Sequence, residues 1–514
     1  AHNVVVSGSG TAQRVQLWRT AVEWEPSTRH RGAVYRQSLR MGGGCPQVFD
    51  GARAYEDGFH WYPEIFSVSM TAAAGALGAG TYLYAAVYRF TLSSGEIVRS
   101  APSPPFSASA VANDRATVLI KTYTAGAMRG DYTTGLVTEV AIELYRTQVG
   151  GQTFTMVTDG TLVTTNKNNP ATFTVSIDDG ASDATIATNL PLYTDGVPGP
   201  LENLCPPSLY PIAVHMGRQW GIDDSRRRIW YSDLPNPGEA PRWHEVQTID
   251  IDEGEDLSGF IPLDGVMCVG SPNAIYRLEG QPADRLGNGS LTYSRISSSA
   301  GMGGTFAASF DYGTMFQAPG GEIKMVTRGF SVEDVGYPVE TSSIAKPFMV
   351  SAVSHGVERE VRLVVGDAIA VTASDVLVFE TERKQWLKRR YNQTGSSTQL
   401  AIKDAWLVGS TWYFVARVSS TTIVWYENTS EGAGSWLDSE EDFVEMTLGF
   451  PFVSLGQIQG YQRCRLVRIL GDRHTAHLGL SLLLAARCRV RGREPAVPGA
   501  PARRGAVPAV SPRC

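Results

Sequence analysis

The sequence of 514 residues has little lysine, few cysteines and no long apolar run. The longest uninterrupted apolar stretch near the C-terminus, Leu482–Ala486, is far too short for a bilayer, which takes roughly 20 residues. The first ten residues contain no basic segment followed by an apolar one, so we expect no secretion signal. The net charge is −6, whereas a protein that binds nucleic acid or membranes electrostatically would carry a surplus of basic residues. We therefore expect no membrane insertion.

The cysteines are too dispersed to indicate a metal centre by their spacing. Six are present, and none belongs to a C-x-x-C pair: Cys45, Cys205, Cys268, Cys464, Cys488 and Cys514. This spacing predicts neither a zinc site nor a disulfide framework, and it fits a chain folded in a reducing cytoplasm. The sequence thus predicts no metal, no cofactor and no catalytic residues.

What the sequence does contain is typical of an all-β protein. It has 53 glycines, 28 prolines and 43% hydrophobic residues, with only 19% charged residues. This composition is rich in turn and strand formers and unlike that of a long-helix protein. The length indicates two to four domains.

A distinct unit is predicted from residue 65 to residue 196. In Gly80–Phe90, aromatic and apolar residues alternate with a period of two, as in a half-buried strand. Ser93–Glu96 is a hairpin turn, and the prolines of Ala101–Pro105 end the pairing that follows. A second hairpin is predicted over Glu139–Val157. Short strands separated by turn signals in this way favour a small β-sandwich.

Beyond Pro206, short apolar-aromatic strands recur at nearly even spacing. Their first residues lie 46, 48, 54 and 46 positions apart: Ile229, Ile275, Ile323, Leu377 and Ile423. A period of about 40–50 residues is typical of β-propeller blades of four strands each. The pattern predicts a propeller of five to seven blades, and an elongated array of separate β-sandwiches is the alternative.

These patterns divide the chain into five predicted segments. Residues 1–64 supply N-terminal propeller strands and are expected to be truncated at the start. Residues 65–196 form the inserted β-sandwich and residues 197–455 the propeller blades. Residues 456–481 form a closing β segment. Residues 482–514 are an Arg/Pro/Ala-rich tail, predicted to be disordered or read out of frame.

An ordered set of motifs carries a resemblance to a known family. The motifs are V-F-D-G and E-D-G-F-H-W-Y-P-E within 48–64, A-G-T-Y-L-Y-A-A-V-Y at 79–88, V-R-S-A-P-S-P-P at 98–105, I-E-L-Y-R-T at 142–147, L-Y-T-D-G at 192–196, R-I-W-Y-S-D at 228–233, A-I-Y-R-L-E-G at 274–280, R-I-S-S-S-A-G at 295–301 and V-G-Y-P-V-E at 335–340. In this order they resemble the tail nozzle proteins (tail tubular protein B type) of short-tailed bacteriophages.

The resemblance implies a non-enzymatic, structural virion protein. It implies a β-propeller with an inserted fibronectin/Ig-like β-sandwich, and a homohexameric ring around the DNA-ejection channel. The expected partners are the phage adaptor (upper tail tube) protein, the tail fibres and genomic DNA, which passes without sequence-specific contact. The protein would be made in the cytoplasm of a bacterial host and reside in the virion tail. DNA would slide past an acidic or neutral channel wall, because such a wall forms few contacts with the DNA phosphates.

Two other functions stay open at this point. A carbohydrate- or receptor-binding propeller would show exposed aromatic side chains clustered on one face. A glycan-cleaving enzyme would show two carboxylates facing each other at roughly 5–10 Å.

Several acidic and histidine motifs could carry chemistry, but each has a simpler structural interpretation. The run Asp250–Asp256 could bind calcium or line a wall, but it lacks the EF-hand spacing and favours a solvated loop. Asp178, Asp179 and Asp183 could serve glycoside hydrolysis, but they favour a turn beside Gly180. A third group could bind metal on a helix, but its local sequence favours strand and loop: Asp472, His474 and His477.

Shorter motifs are weaker still. Gly301–Gly304 lacks the lysine and the strand–helix context of a phosphate loop. Arg129–Asp131 matches an adhesion tripeptide and is expected to mark a loop. Three glycosylation sequons matter only in a eukaryotic secretory pathway: Asn288, Asn392 and Asn428. The aromatic residues of Tyr82–Phe90 could stack on sugars, but their period of two favours a core.

Overall fold

The computed structural model shows a protein built almost entirely of antiparallel β-sheets. It describes residues 2–7, 14–19, 31–51, 54–121, 140–162, 174–192, 203–205, 207–252, 254–284, 287–336, 347–367, 373–391, 399–418 and 421–426. The chain divides into two compact units, Ala1–Val444 and Glu445–Cys514, and every described residue belongs to the first. The predicted segments 456–481 and 482–514 therefore lie outside the described residues. Within the described part, no helix is long and apolar enough to span a membrane.

The first described elements are a strand pair and a four-stranded sheet. The pair is β1 (His2–Ser7) and β2 (Arg14–Arg19). The sheet is β3 (Arg31–Tyr35), β4 (Ser38–Gly42), β5 (Gln47–Phe49) and β6 (Ala54–Glu56). Its strands follow one another in space as they do in sequence.

A unit of two sheets follows. Its strands are β7 (Glu64–Thr71), β8 (Gly80–Thr91), β9 (Ile97–Arg99), β10 (Phe106–Ala110), β11 (Arg115–Lys121), β12 (Ala141–Arg146), β13 (Thr155–Leu162) and β14 (Thr174–Asp179). One sheet has the order β10-β8-β12-β13, with β9 also paired to β8, and the other has the order β14-β11-β7. The short helix α1 (Asp183–Ile186) follows and is capped by the Ser182 side chain.

Five more sheets occupy the rest of the described chain, each with its strands in sequence order. Together with the β3–β6 sheet, which is counted as the first, they are called the six serial sheets. The second sheet is β15 (Leu209–His215), β16 (Arg218–Asp223), β17 (Arg228–Tyr231) and β18 (Thr248–Asp250). The third is β19 (Gly259–Leu263), β20 (Val266–Gly270), β21 (Ile275–Glu279) and β22 (Thr292–Ser297). The fourth is β23 (Ala307–Phe310), β24 (Gly313–Gln317), β25 (Ile323–Thr327) and β26 (Val332–Asp334). The fifth is β27 (Pro347–His355), β28 (Glu360–Asp367), β29 (Ser374–Glu380) and β30 (Gln385–Arg390). The sixth is β31 (Ala401–Val408), β32 (Thr411–Val418) and β33 (Thr421–Tyr426).

The first strands of the six sheets contact one another in chain order. β3 touches β15, β15 touches β19, and the series continues through β23, β27 and β31. The recurring strands predicted from the sequence are confirmed, and each is the third strand of its sheet: β17, β21, β25, β29 and β33. The all-β class is confirmed, while the closed propeller and the sandwich remain predictions.

The apolar cores of the serial sheets lie between neighbouring sheets. Leu363 and Leu377 of the fifth sheet pack with Met315 and Met325 of the fourth. Side chains on the other face of the fifth sheet, such as Val364, pack against the sixth. Similar clusters join the second sheet to the third and the third to the fourth. The sheets are therefore held together by burial on both of their faces, which makes continuous apolar strands necessary.

The two-sheet unit has one core shared by both of its sheets. A single buried cluster contains Tyr84, Tyr88 and Ile142 of the β10-β8-β12-β13 sheet. It also contains Val118 and Ile177 of the β14-β11-β7 sheet. The predicted alternation in Tyr82–Phe90 thus marks core positions, and its aromatic rings are at most 2% exposed. The prediction of a core rather than a sugar platform is confirmed.

A leucine pair in the fifth sheet tests the contribution of inter-sheet burial. Leu363 is fully buried between two sheets, whereas Leu387 of β30 is 42% exposed. We expect Leu363→Ala to lower the free energy of unfolding by about 2–5 kcal/mol, because it leaves a cavity. Leu387→Ala is the control and should cost clearly less. Chemical denaturation of both variants measures the difference, and equal losses would contradict this packing.

Candidate functional site

Buried charged side chains lie at the junction between the first sheet and the two-sheet unit. Arg40 of β4 is completely buried and pairs with Asp57, just after β6, and with Glu96 at 2.9 Å. Ser38 donates a hydrogen bond to the same Glu96 carboxylate, at 3.0 Å. A buried arginine needs paired partners because an isolated buried charge is very costly. The pairs therefore fix the orientation of the unit on the first sheet.

A second ionic chain connects the two-sheet unit to the second serial sheet. Arg99 of β9 binds Glu143 of β12 at 2.8 Å and Glu239 of the loop after β17 at 2.7 Å. Glu143 is fully buried and also accepts a hydrogen bond from the Tyr145 hydroxyl at 2.7 Å. Ile97 pairs with the same loop through backbone hydrogen bonds. The inserted unit is thus held on both sides by charged and backbone contacts.

Two pairs of aromatic side chains pack at the same junction. Tyr55 of β6 meets Phe90 edge-on at 5.0 Å between ring centroids, and Phe59 stacks on Tyr88 at 5.5 Å. Both pairs lie in the core of the two-sheet unit. The first sheet therefore contributes directly to the core of the inserted unit.

At the edge of this junction, four potential metal ligands converge. The Cys45 sulfur, a Glu56 carboxylate oxygen and a His60 ring nitrogen all lie within 4.8 Å of one another. The Cys45 sulfur is 4.0 Å from His60 Nε2, and the Cys205 sulfur is 3.8 Å from the same nitrogen. Cys205 also donates to the Asp57 carbonyl oxygen at 3.0 Å. These residues come from the β4–β5 turn, from β6 and the segment after it, and from the chain just before β15.

The electrostatics of this group disfavour free thiolates. Partial desolvation of the sulfur, followed by the charge of Glu56, raises the pKa of the Cys45 thiol to about 11. Burial, followed by the charge of Asp57, raises the pKa of Cys205 well above its usual value. Both thiols therefore stay protonated near neutral pH unless a cation compensates the negative charge. The cysteine spacing gave no sign of this group, because Cys205 lies 145 positions from His60.

The acidic turn predicted near Gly180 is a buried ion-pair centre. Arg146 of β12 donates from Nε to Asp179 at 2.7 Å and from Nη1 to Asp183 at 2.6 Å. Asp179 also accepts from the Tyr84 hydroxyl at 2.9 Å. Asp178 is exposed and accepts a hydrogen bond from the Thr117 hydroxyl. The two inner carboxylates thus neutralise one arginine, which supports the structural interpretation over hydrolysis.

The predicted acidic run Asp250–Asp256 lies at and after β18, the fourth strand of the second sheet. Asp250 makes a bidentate pair with Arg228 at 2.6 and 2.9 Å, and hydrogen bonds from that arginine lower its pKa. Glu255 accepts hydrogen bonds from Asn273 and Ser271, which lower its pKa. Asp252 and Asp256 are exposed, and Glu253 lies outside the described residues. Asp250 therefore forms a cross-strand ion pair, and Glu255 organises the turn after β20.

The remaining predicted motifs divide between structural roles and masked segments. Gly301 lies against the Pro272 carbonyl so closely that a side chain would collide, which explains this glycine without a phosphate. Asn288 is exposed and hydrogen-bonds to Asp284. The other predicted residues lie outside the described part of the chain: Arg129–Asp131, Asn392, Asn428, Asp472, His474 and His477.

Exposed aromatic side chains are few in the described part of the serial sheets. Trp61, Tyr62 and Phe66 are 68%, 39% and 54% exposed, and they lie where the chain enters the two-sheet unit. Tyr312, in the β23–β24 turn, is 45% exposed. The described sheets therefore do not present the aromatic cluster on one face that a sugar-binding propeller would need.

Comparison with known proteins identifies no family. No protein-family model and no curated protein matches the chain. Similar solved structures include the N-terminal domain of Nup159, with 7% identity over 55% of this chain and 71% of that chain and a TM-score of 0.25. Puromycin hydrolase matches with 8% identity over 77% of this chain and 61% of its own, at a TM-score of 0.22. PorZ of Porphyromonas gingivalis matches with 11% identity over 76% and 61%, at 0.20. Similarities this weak carry no argument about function.

The buried Arg146 centre and the exposed Arg228–Asp250 pair make a matched test of these ion pairs. Arg146→Met leaves Asp179 buried and uncompensated, so we expect a loss of about 3–5 kcal/mol in the free energy of unfolding. Arg228→Met removes an exposed pair and should cost at most about 1 kcal/mol. Denaturant titrations measure both losses. An Arg146→Met variant with the same free energy of unfolding as the parent would show that this centre does not hold the unit together.

A buried histidine predicts acid sensitivity. His244, after β17, is 3% exposed, and burial lowers its pKa to about 4. The unfolded chain, with a pKa near 6.5, binds a proton in the window between these values while the folded chain does not. The free energy of unfolding should therefore fall as pH drops from about 6.5 towards 4. Denaturation at pH 7 and pH 5 should show a smaller fall for His244→Gln than for the parent, and equal falls would refute the assignment.

Proposed function

We propose that this chain is a structural virion protein, the tail nozzle of a short-tailed bacteriophage, and that it acts by assembly rather than by catalysis. The observation that carries the proposal is the order of its parts. Six sheets follow one another with their first strands in contact, and a two-sheet unit is inserted between the first and the second. A β-propeller with an inserted β-sandwich has this order, and the sequence motifs resemble those of nozzle proteins.

In this proposal the serial sheets close into a propeller. Each described sheet from the second to the fifth has four strands in up-and-down order, as a blade does. Each buries apolar side chains against its neighbours, so the series needs a partner at both ends. Closure supplies that partner without leaving an exposed edge.

The inserted unit would be the β-sandwich. Its two sheets share one core, and buried ion pairs anchor it to both flanking sheets. A partner that binds to a unit held this firmly is attached through it to the propeller. We propose that it provides the docking surface for the adaptor, for tail fibres or for neighbouring subunits of a homohexamer.

The chemistry of the described residues favours an architectural role. The carboxylates that could have served catalysis are held by arginine or by turn hydrogen bonds, as Asp179, Asp250 and Glu255 are. The net charge of −6 suits a channel wall past which DNA slides without phosphate contacts. Host-receptor or glycan binding is less well supported, because the exposed aromatic residues of the described chain do not cluster on one face of the serial sheets: Trp61, Tyr62 and Phe66 lie at the entry to the inserted unit, and Tyr312 lies in the β23–β24 turn.

Electron microscopy of the purified chain, alone and mixed with its cognate adaptor ring, tests this function. We expect sixfold rings with a central channel, formed alone or on the adaptor, because the nozzle acts as a ring around the ejection path. The adaptor ring alone is the control.

Monomers that persist beside intact adaptor rings would contradict the nozzle function for this chain. Binding to a glycan array by those monomers would instead support the receptor-binding alternative. Release of reducing sugar from a host polysaccharide would support the enzyme.

A further inference from the structure

Four side chains at the base of the inserted unit have the chemistry of a zinc site. Cys45, Glu56, His60 and Cys205 offer two sulfurs, one carboxylate oxygen and one imidazole nitrogen. Zinc prefers this mixture of thiolate, imidazole and carboxylate ligands, whereas calcium and magnesium prefer oxygen alone. The chemistry therefore selects a borderline-soft metal.

The two distances between sulfur and nitrogen approach those of a tetrahedral centre. With zinc–sulfur and zinc–nitrogen bonds of about 2.3 and 2.0–2.1 Å, a sulfur and a nitrogen bound to the same ion lie roughly 3.6 Å apart. His60 Nε2 lies 4.0 Å from the Cys45 sulfur and 3.8 Å from the Cys205 sulfur. Both contacts reach the same nitrogen, so one ion beside it could bind all three residues once the Cys205 side chain, which lies outside the 4.8 Å group, leaves the Asp57 carbonyl and turns towards the ion. The Glu56 carboxylate lies within the same 4.8 Å group as Cys45 and His60.

We infer that Cys45, Glu56, His60 and Cys205 bind one zinc ion that cross-links the two ends of the inserted unit. The first three residues precede β7, the first strand of the unit, and Cys205 follows the unit just before β15. The ion would join chain positions 145 residues apart. Because four protein ligands fill a tetrahedral shell, the site is structural and keeps no open position for a substrate.

The site is accessible and is not part of the ionic junction. Cys45 and His60 are exposed, and Glu56 and Cys205 are partly exposed, so an ion can enter from solvent. Both cysteines are free thiols. Arg40 and its partners Asp57 and Glu96 form a separate set of pairs beside it. The Asp57 carbonyl contacts the Cys205 sulfur, which ties the two features together without sharing a ligand.

Zinc content and cobalt spectroscopy test the site in the full chain. The background carries Cys464→Ser, Cys488→Ser and Cys514→Ser, so that the described cysteines are the only thiols. After exposure to zinc and removal of loosely bound metal, we expect about one zinc per chain by mass spectrometry of the elements. Cobalt in its place should give a thiolate-to-cobalt charge-transfer band and the intense visible bands of four-coordinate cobalt. A protein without zinc, or with cobalt bands typical of six oxygen ligands, would overturn the proposal.

Matched variants locate the ion. Cys45→Ser, Cys205→Ser and His60→Ala should each weaken zinc binding by at least about a hundredfold, since even loss of an outer-shell partner costs roughly 10–100-fold. Cys268→Ala is the control, because Cys268 is a thiol buried between the third and fourth sheets, away from this group. Equal zinc affinity in the Cys45→Ser/Cys205→Ser double variant and the control would overturn the assignment.

A measurement without substitution at the site guards against variants that fail to fold. Alkylation of the native background protein, followed by peptide mass spectrometry, reports each thiol separately. Zinc should slow the modification of Cys45 and Cys205 together by at least about tenfold, with reversal by a chelator, because a bound thiolate is a poor nucleophile. An unchanged rate at Cys45, or a Cys45–Cys205 disulfide in protein purified without reductant, would overturn the proposal.

Discussion

Burial of sheet faces against neighbouring sheets is the interaction on which the described structure depends. The fifth sheet shows it most clearly: Val361, Leu363 and Val365 of β28 pack against the fourth sheet, and Val364 between them packs against the sixth. A strand with both faces buried cannot be stable in an isolated sheet, because one apolar face would always meet water. The serial order of the sheets therefore follows from the composition of their middle strands, and each sheet is stabilised only within the series.

The inserted unit must satisfy this constraint without interrupting it. The first strands β3 and β15 remain in contact although the whole two-sheet unit lies between them in sequence. The unit adds its own core, shares that core with Tyr55 and Phe59, and is oriented by Arg40 and Arg99. Buried ion pairs contribute little net stability once desolvation is counted, but a misplaced partner is costly. Apolar contact thus holds the unit on the sheets, and the arginines select one orientation.

The sequence predicted those parts of the fold that depend on local pattern. The third strands were recognisable because strands such as β29 are apolar on both faces, and Tyr84 and Tyr88 marked a core by their period of two. Features that depend on distant partners had no such signal. In the sequence, Arg40 cannot be distinguished from a surface arginine, because its partner Glu96 comes from a distant segment. Cys45 likewise has no cysteine near it in the sequence, because Cys205 approaches the same histidine only in the folded chain. The acidic residues near Gly180 form a group in the sequence, but only the structure shows that Arg146 binds two of them, Asp179 and Asp183.

The excess of arginine over lysine acquires a physical meaning in this setting. Of the 45 basic residues only seven are lysines, and in the described part of the chain several buried pairs use arginine: Arg40, Arg99, Arg146 and Arg362. A planar guanidinium can bind two carboxylates at once, as Arg146 binds Asp179 and Asp183, whereas an ammonium acts as a point charge. Carboxylates engaged in this way are committed to holding an arginine in place, as Asp179 and Asp183 are. The interaction that orients the parts of this protein is therefore built from guanidinium geometry, and the proposed assembly role needs parts that are oriented in this way.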